Sequence, residues 1–312
     1  MAAQTKENWV SECEKMAAGI RLRVYEHVIK NRGGYLCQAC SSAEIFAALY
    51  YRIMNLAPSK APMIPEPFSG VPGKDNPHYK RGGLYNGGYE PDFDHFVFSP
   101  AHYALVVYAT LIEAGRLDKE GLSFFNKDGS VLEMIGAEHS PGIDTTTGSL
   151  AQAIGQATGI ALGRRLLGEK GRVWVFMSDG EFQEGQAWET VQTLVQYKLD
   201  NVGVYVDVNG MQCDGRTADV LDMGDLRKKF EAFGAKAVEV DGHNVAALAA
   251  AAEEPPDGRP LFVVAKTDPA RGIDLFRERE PKLHYCRFNS EDEYQRYKSD
   301  YERLAKEAAS WK

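Results

Sequence analysis

The sequence predicts an α/β fold: a doubly wound, mostly parallel sheet flanked by helices. Three observations predict it. Short apolar runs alternate with helix-like stretches from Arg172 to Ala265. Arg172–Met177, the first of those runs, has the look of a buried strand. Asp179 and Asn209 each follow such a run and stand thirty residues apart, the length of one strand–helix–strand unit.

Taken in order, residues 8–32 place Trp9, Cys13, Met16, Ile20, Val24 and Val28 at helical spacing and stop at Gly33-Gly34. Residues 41–55 read as a second helix, opened by Ser41-Ser42 with Glu44 close behind. Residues 57–94 differ in kind, with six prolines by Pro77 and then RGGLYNGGYEPDF; this is a long loop, expected to be functional rather than disordered. Helices follow at 101–115 and 148–167. In the latter, Ala151, Gly155, Gly159 and Gly163 recur every four residues, so a sheet or a second subunit is expected to pack closely there. Strands are expected at 172–177, 202–208, 236–240 and 261–265, and helices at 184–197, 221–233 and 245–252. A last helix, 290–310, opens with Ser290 and Glu293 in capping-box spacing. The expectation is one domain over 1–312.

Of the 312 residues, 44% are hydrophobic and 26% charged, a globular balance able to bury a large core. The net charge of −8, with no Lys/Arg block, disfavours nucleic acid as a partner. No apolar run reaches the ~20 residues a membrane span needs. The N-terminus is too polar for a signal peptide, so a cytoplasmic location is expected.

Ligands of open parallel sheets bind beyond the carboxyl ends of the strands. Asp179 and Asn209 are both expected there. A carboxylate and an amide oxygen suit Mg²⁺ or Ca²⁺, with a diphosphate completing the shell. Gly180 leaves the backbone open to phosphate. Asp-Gly and Asn-Gly are each common turn dipeptides; their joint spacing, with Glu184 and Glu189 between them, favours the cation site.

This stretch resembles the thiamine diphosphate motif, and its tail, VDVNGMQCDG, resembles the transketolase family in particular. DHFVFSPAHYALVVYATLIEAG, PGIDTTTGSLAQAIGQATGIALG, KKFEAFGAKAVEVDGHNV and AKTDPARGIDLF resemble the same family, so that the match spans roughly 8–310 except for 57–90. The resemblance implies thiamine diphosphate as cofactor, with Mg²⁺ or Ca²⁺ held by Asp179, Asn209 and the Met211 carbonyl. It sets Gly180 and Glu181 against the diphosphate and Gly148, Ser149 and Leu150 along the aminopyrimidine. It makes His102, His139 and His284 catalytic candidates, His102 and His284 also touching the diphosphate. His139 aligns less directly, because the segment ahead of Pro141-Gly142 is short. Glu184 and Glu189 match a carboxylate network at the subunit interface. His27, His78, His95 and His243 are expected to be solvated or structural.

The chain also departs from the family pattern. Tyr35 stands where the family has a substrate-touching histidine, Ser178 replaces the first Gly of GDG, and Cys37 and Cys40 form a C-x-x-C. With no second ligand pair in view, the two cysteines are expected to line a pocket rather than bind zinc. The 57–94 loop is expected to be an insertion bordering the substrate channel.

No segment for a pyrimidine-binding domain is visible after residue 270. The resemblance therefore implies the diphosphate-binding subunit of a split transketolase, paired with a separate C-terminal transketolase subunit in a heterotetramer. The expected reaction moves a two-carbon ketol unit from a ketose, a sugar or sugar phosphate, to an aldose. An alpha-type subunit of a 2-oxoacid dehydrogenase and a non-catalytic regulatory paralogue are the alternatives. The first is disfavoured by TTGSLAQ and DVNGMQCDG, the second by the intact Asp179/Gly180/Asn209 set.

Overall fold

The computed structural model describes residues 8–77 and 79–309. The first seven residues, His78 and the end of the last predicted helix lie outside them. A five-stranded parallel sheet forms the centre, built from β2 (His95–Phe98), β3 (Val173–Ser178), β4 (Val202–Val208), β7 (Lys236–Asp241) and β8 (Leu261–Lys266) in the order β2-β3-β4-β8-β7. Short pairs lie outside it: β1 (Gly33–Gly34) with β9 (Cys286–Arg287), and β5 (Met211–Gln212) with β6 (Gly215–Arg216).

Alternation along the strands splits the core in two. Phe96, Trp174, Phe176, Tyr205 and Val263 point to one face. There they meet α1 (Trp9–Lys30), α2 (Leu36–Ala48), α3 (Ala104–Glu113), α8 (Val245–Ala252) and Tyr297 of α9 (Glu291–Ala309). Val97, Val175, Val204, Phe262 and Val264 point to the other, against α4 (Gln152–Leu166), α5 (Gly185–Gln196) and α7 (Leu226–Phe233). Helices on both faces of a parallel sheet are the predicted fold class. Between β6 and α7 lies α6 (Thr217–Leu221), so the helix predicted over 221–233 starts only at Leu226, after an extended turn at Asp222. No helix of the described residues is long and apolar enough to cross a membrane.

Three elements differ from expectation for physical reasons. β2 is a strand that its four residues and polar His95 conceal. α2 starts at Leu36, five residues before Ser41, and is buried all round, so it has no polar face to mark its period. Ser42 is a helix-interior residue whose Oγ donates to the Gln38 carbonyl at 2.6 Å. α4 starts at Gln152, after Ala151 in a left-handed conformation (φ 63°). The sheet meets Ala153, Ala157 and Ala161. Gly155 and Gly159 instead face outward and Gly163 is half-buried; a Cβ at Gly159 or Gly163 would meet nothing within 4 Å. The close-packing neighbour is therefore not the sheet.

Gly203 in β4 is required by close approach: a Cβ would lie 2.3 Å from Trp174. That indole is fixed by its Nε1–H donating to Asp94 Oδ2 at 2.9 Å and by Arg172 over its face. Gly203→Ala is expected to destabilise the chain by about 1–3 kcal/mol through overpacking, read as a lowered urea midpoint with an unchanged m-value.

Candidate active site

Past the carboxyl ends of β3 and β4, the backbone turns bring Ser178, Gly180, Asn209 and Met211 to one cleft of about 620 Å³. Gln38, His102, Tyr103, Leu150, Cys213 and His284 also line it. The register sets Ser178 opposite Asp207, which is why Asp179 and Asn209 emerge side by side.

Asp179 is buried, its Oδ1 accepting from Gly180 N at 2.9 Å and its Oδ2 from Gly210 N at 3.0 Å and Thr217 Oγ1 at 3.3 Å. Gly210 makes that bond from a left-handed turn (φ 68°). Burial, with the nearby Asp207 charge, raises the Asp179 carboxyl to about 7. Asn209 Oδ1 accepts from Met211 N at 2.8 Å and keeps a second lone pair. Its Nδ2 donates to Tyr103 Oη at 3.0 Å and Asp207 Oδ2 at 3.1 Å, which fixes the amide with its oxygen away from Asp207.

Asp207 is fully buried and was not singled out in the sequence. Its Oδ2 also accepts from Ser41 Oγ at 2.6 Å and Tyr103 Oη at 2.8 Å, and its Oδ1 from Thr267 Oγ1. Burial raises this carboxyl and the four donors oppose the rise. Its only trace in the sequence is an acidic residue two places before Asn209, at an inward position of a buried strand.

Glu181, expected at the diphosphate, is fully buried and spent elsewhere. Ser99 Oγ, Ala151 N (2.9 Å) and Ser178 N (2.9 Å) all donate to it. It holds three loops of the cleft in place and has no carboxylate oxygen to offer a ligand. Burial raises this carboxyl as well.

His102 and His284 face each other with ring centroids 4.9 Å apart, and Tyr35 lies 5.8 and 5.6 Å from them. Burial, then His284 beside it, lowers His102 from 6.5 to about 3. Burial also lowers His284, against the pull of Asp214. Both rings are thus neutral at pH 7. Cys37 lines the cleft as a thiol, pushed well up by burial, and Cys40 is pushed up to about 12. Both are unpaired; of the two only Cys37 lines the cleft, as Cys40 is fully buried in the core.

His139 is not brought to this cleft. Its Nε2 lies 3.1 Å from Glu133 Oε1 and its ring packs 4.5 Å from Phe68. The 57–94 loop walls that second pocket, of about 660 Å³, and contributes nothing to the first. Gly82 and Asn86 pin the loop to Glu138 and Gly142. Of Gly148, Ser149 and Leu150, only Leu150 lines the cleft; the other two precede it on an exposed turn. Glu184 and Glu189 are exposed. The other described histidines have structural partners: Phe125 for His27, Asp144 for His95 and Glu44 for His243.

Residues 86–274 match the family described as transketolase, thiamine diphosphate binding domain. The chain belongs to the transketolase family. It therefore carries the thiamine diphosphate binding domain of a transferase family. An apulose-4-phosphate transketolase subunit from Actinobacillus succinogenes is 32% identical over 280 residues, covering 88% of this chain and 90% of the relative. A 6-deoxy-6-sulfo-D-fructose transketolase subunit from a Clostridium species is 28% identical over 283 residues, covering 90% and 93%. The solved transketolase of Campylobacter jejuni superposes with a TM-score of 0.72 at 20% identity, and the chain spans 97% of itself but 48% of that structure.

The cleft fits the family's cofactor on charge. Its lining contains no Lys or Arg, and both histidines are neutral. A diphosphate needs a cation there. Among the described residues no cluster of three or more His, Cys, Asp or Glu could hold one alone. The donor set is a carboxylate, an amide oxygen and a backbone carbonyl, which is oxygen chemistry suited to Mg²⁺.

Two outcomes are expected. A histidine whose folded value is depressed contributes stability that is present above 6.5 and lost as pH falls toward 3. Between pH 6.5 and 5 the cofactor-free chain should lose up to about 1.4 kcal/mol per pH unit relative to His102→Gln, measured by urea unfolding of both. Asp207→Ala orphans three hydroxyls and an amide; it should cost about 3 kcal/mol or more, read by the same unfolding assay.

Proposed function

We propose that this cleft binds the diphosphate end of thiamine diphosphate through one Mg²⁺ held by Asp179, Asn209 and the Met211 carbonyl. A separate pyrimidine-domain subunit completes the site, and the pair transfers a two-carbon ketol unit from a ketose to an aldose. The observation that carries this reading is the meeting of Gly180, Asn209 and Met211 with two neutral imidazoles on a cleft without basic residues, and Asp179 buried beside it on the Gly180 and Gly210 amides. The cofactor supplies the carbanion chemistry of the transfer. Gly180 lets the backbone approach the diphosphate, and a Cβ there would already touch Gln212. His102 and His284, uncharged at pH 7, accept or donate a proton at the substrate carbonyl and hydroxyls.

The names of two relatives as subunits, each matched over about nine tenths of its length, support a partner. So does the outer face of α4, where the glycines lie open and Leu166 and Leu167 are 80% and 76% exposed. Glu184 and Glu189 lie exposed around the start of α5. We assign them to the contact with the partner, in an assembly of two copies of each chain, located in the cytoplasm.

The test is reconstitution with a candidate pyrimidine-domain chain, Mg²⁺ and thiamine diphosphate. Ketol transfer by the pair and silence of each chain alone are expected; turnover by this chain alone would sink the two-subunit reading. Asp179→Ala should abolish Mg²⁺-dependent cofactor binding in calorimetry while the pair still assembles by size-exclusion chromatography. Retained binding would remove Asp179 from the cation site.

A further inference from the structure

Gln38 stands in the first turn of α2, 1% exposed, and lines the cleft. Its Nε2 donates to the His284 backbone carbonyl at 3.2 Å. A carbonyl can only accept, so this bond settles which end of the amide is nitrogen. The other end, Oε1, is buried and accepts no hydrogen bond among the described residues. The turn that carries it is fixed: Ser42 Oγ donates to the Gln38 backbone carbonyl, and Ser41, three residues on, is held by Asp207. A buried acceptor left without a donor is costly, and native structures rarely keep one without a use.

We infer that Gln38 is a substrate-binding and specificity residue, its Oε1 accepting a hydrogen bond from one hydroxyl of the bound sugar. This rests on the function proposed above. The chemistry of what enters the cleft selects the donor. An ionised diphosphate offers acceptors only, and a thiazolium ring has no N–H or O–H. The pyrimidine amine is a donor on the cofactor, and a contact with it would show as lost cofactor affinity in a Gln38 variant. A polyhydroxylated substrate carries a row of O–H donors, and it is the source we assign. The terminal amide torsion of Gln is soft, so Oε1 can turn to an incoming hydroxyl while the side chain stays anchored at His284. Loss of this bond weakens the true substrate but not an analogue already lacking the hydroxyl.

The experiment uses the reconstituted pair, loaded with Mg²⁺ and thiamine diphosphate, and a series of ketoses each deoxygenated at one carbon. Gln38→Met keeps the length of the side chain and removes the Oε1 acceptor together with the Nε2–H bond to the His284 carbonyl, the latter a loss common to every ketose. Its kcat/KM for the intact ketose should fall at least about tenfold, the scale of one neutral hydrogen bond. For a single member of the deoxy series, the gap between wild type and variant should shrink by about tenfold. Cofactor affinity by calorimetry should not change. A tenfold loss across the whole series, or an equal loss in cofactor affinity, would overturn the inference. Wild type inactive toward every ketose overturns both this inference and the function it rests on. If Gln38→Met melts early, Gln38→Ala is read by the same narrowing of the gap with one deoxy ketose, which a merely structural role would not produce.

Discussion

The site depends on one buried carboxylate. Asp207 sits at the carboxyl end of β4 with no access to water. A carboxylate in that position is tolerable only if donors replace its lost hydration. Here the donors come from four places in the chain: Ser41 in α2, Tyr103 ahead of α3, Asn209 after β4 and Thr267 after β8. Each donor is held because the charge must be satisfied. The requirement that stabilises the anion thus also fixes the Asn209 amide, draws α2 against the sheet end and shapes the wall bearing Gln38. Glu181 repeats the device on the other side, gathering Ser99, Ala151 and Ser178. Its hydrogen bond also accounts for the left-handed Ala151, a conformation a non-glycine residue keeps only when its surroundings over-determine it.

The two acids explain why a sheet whose faces are sealed by helices can still open a polar cleft at its edge. Both faces bury aromatic and β-branched side chains, so the only backbone left for chemistry is at the strand ends. There the turns after β3 and β4 lie side by side by register. The small β5–β6 hairpin then folds Met211 and Gln212 back over the opening.

Much of this was legible in the sequence, and the exceptions share a cause. The alternation of runs showed the sheet and its helices, because those strands are long and uniformly apolar. β2 was hidden, being four residues long with a polar start. The start of α2 was misplaced because a helix buried on all sides has no periodicity. At the site, Asp179, Asn209, His102 and His284 were readable through their motif context, and the structure brings the last three to one cleft with Asp179 buried beside it. Asp207 and Glu181 act by what they hold, and sequence spacing does not reveal a hydrogen-bond partner 166 residues away, as Ser41 is from Asp207. His139 stood just ahead of the matching segment and aligned less directly, and its imidazole is held by Glu133 and by Phe68 of the 57–94 loop.

The charge balance of the cleft gives these pieces one logic. Its lining holds no Lys or Arg, its histidines carry no charge, and Asp179 and Asp207 are buried beside it. A diphosphate alone would bring negative charge to a partly dehydrated site with no basic group to meet it, where charges interact far more strongly than in water. In the proposed site a divalent cation would supply the missing positive charge, with Asp179 and the diphosphate among its ligands. On that reading cation and diphosphate would bind together. This is also why the neutral groups matter. Gln38, His102 and His284 line the cleft and add no charge, so in the proposed site they would discriminate the pattern of hydroxyls on a substrate, leaving the cofactor's diphosphate to the cation.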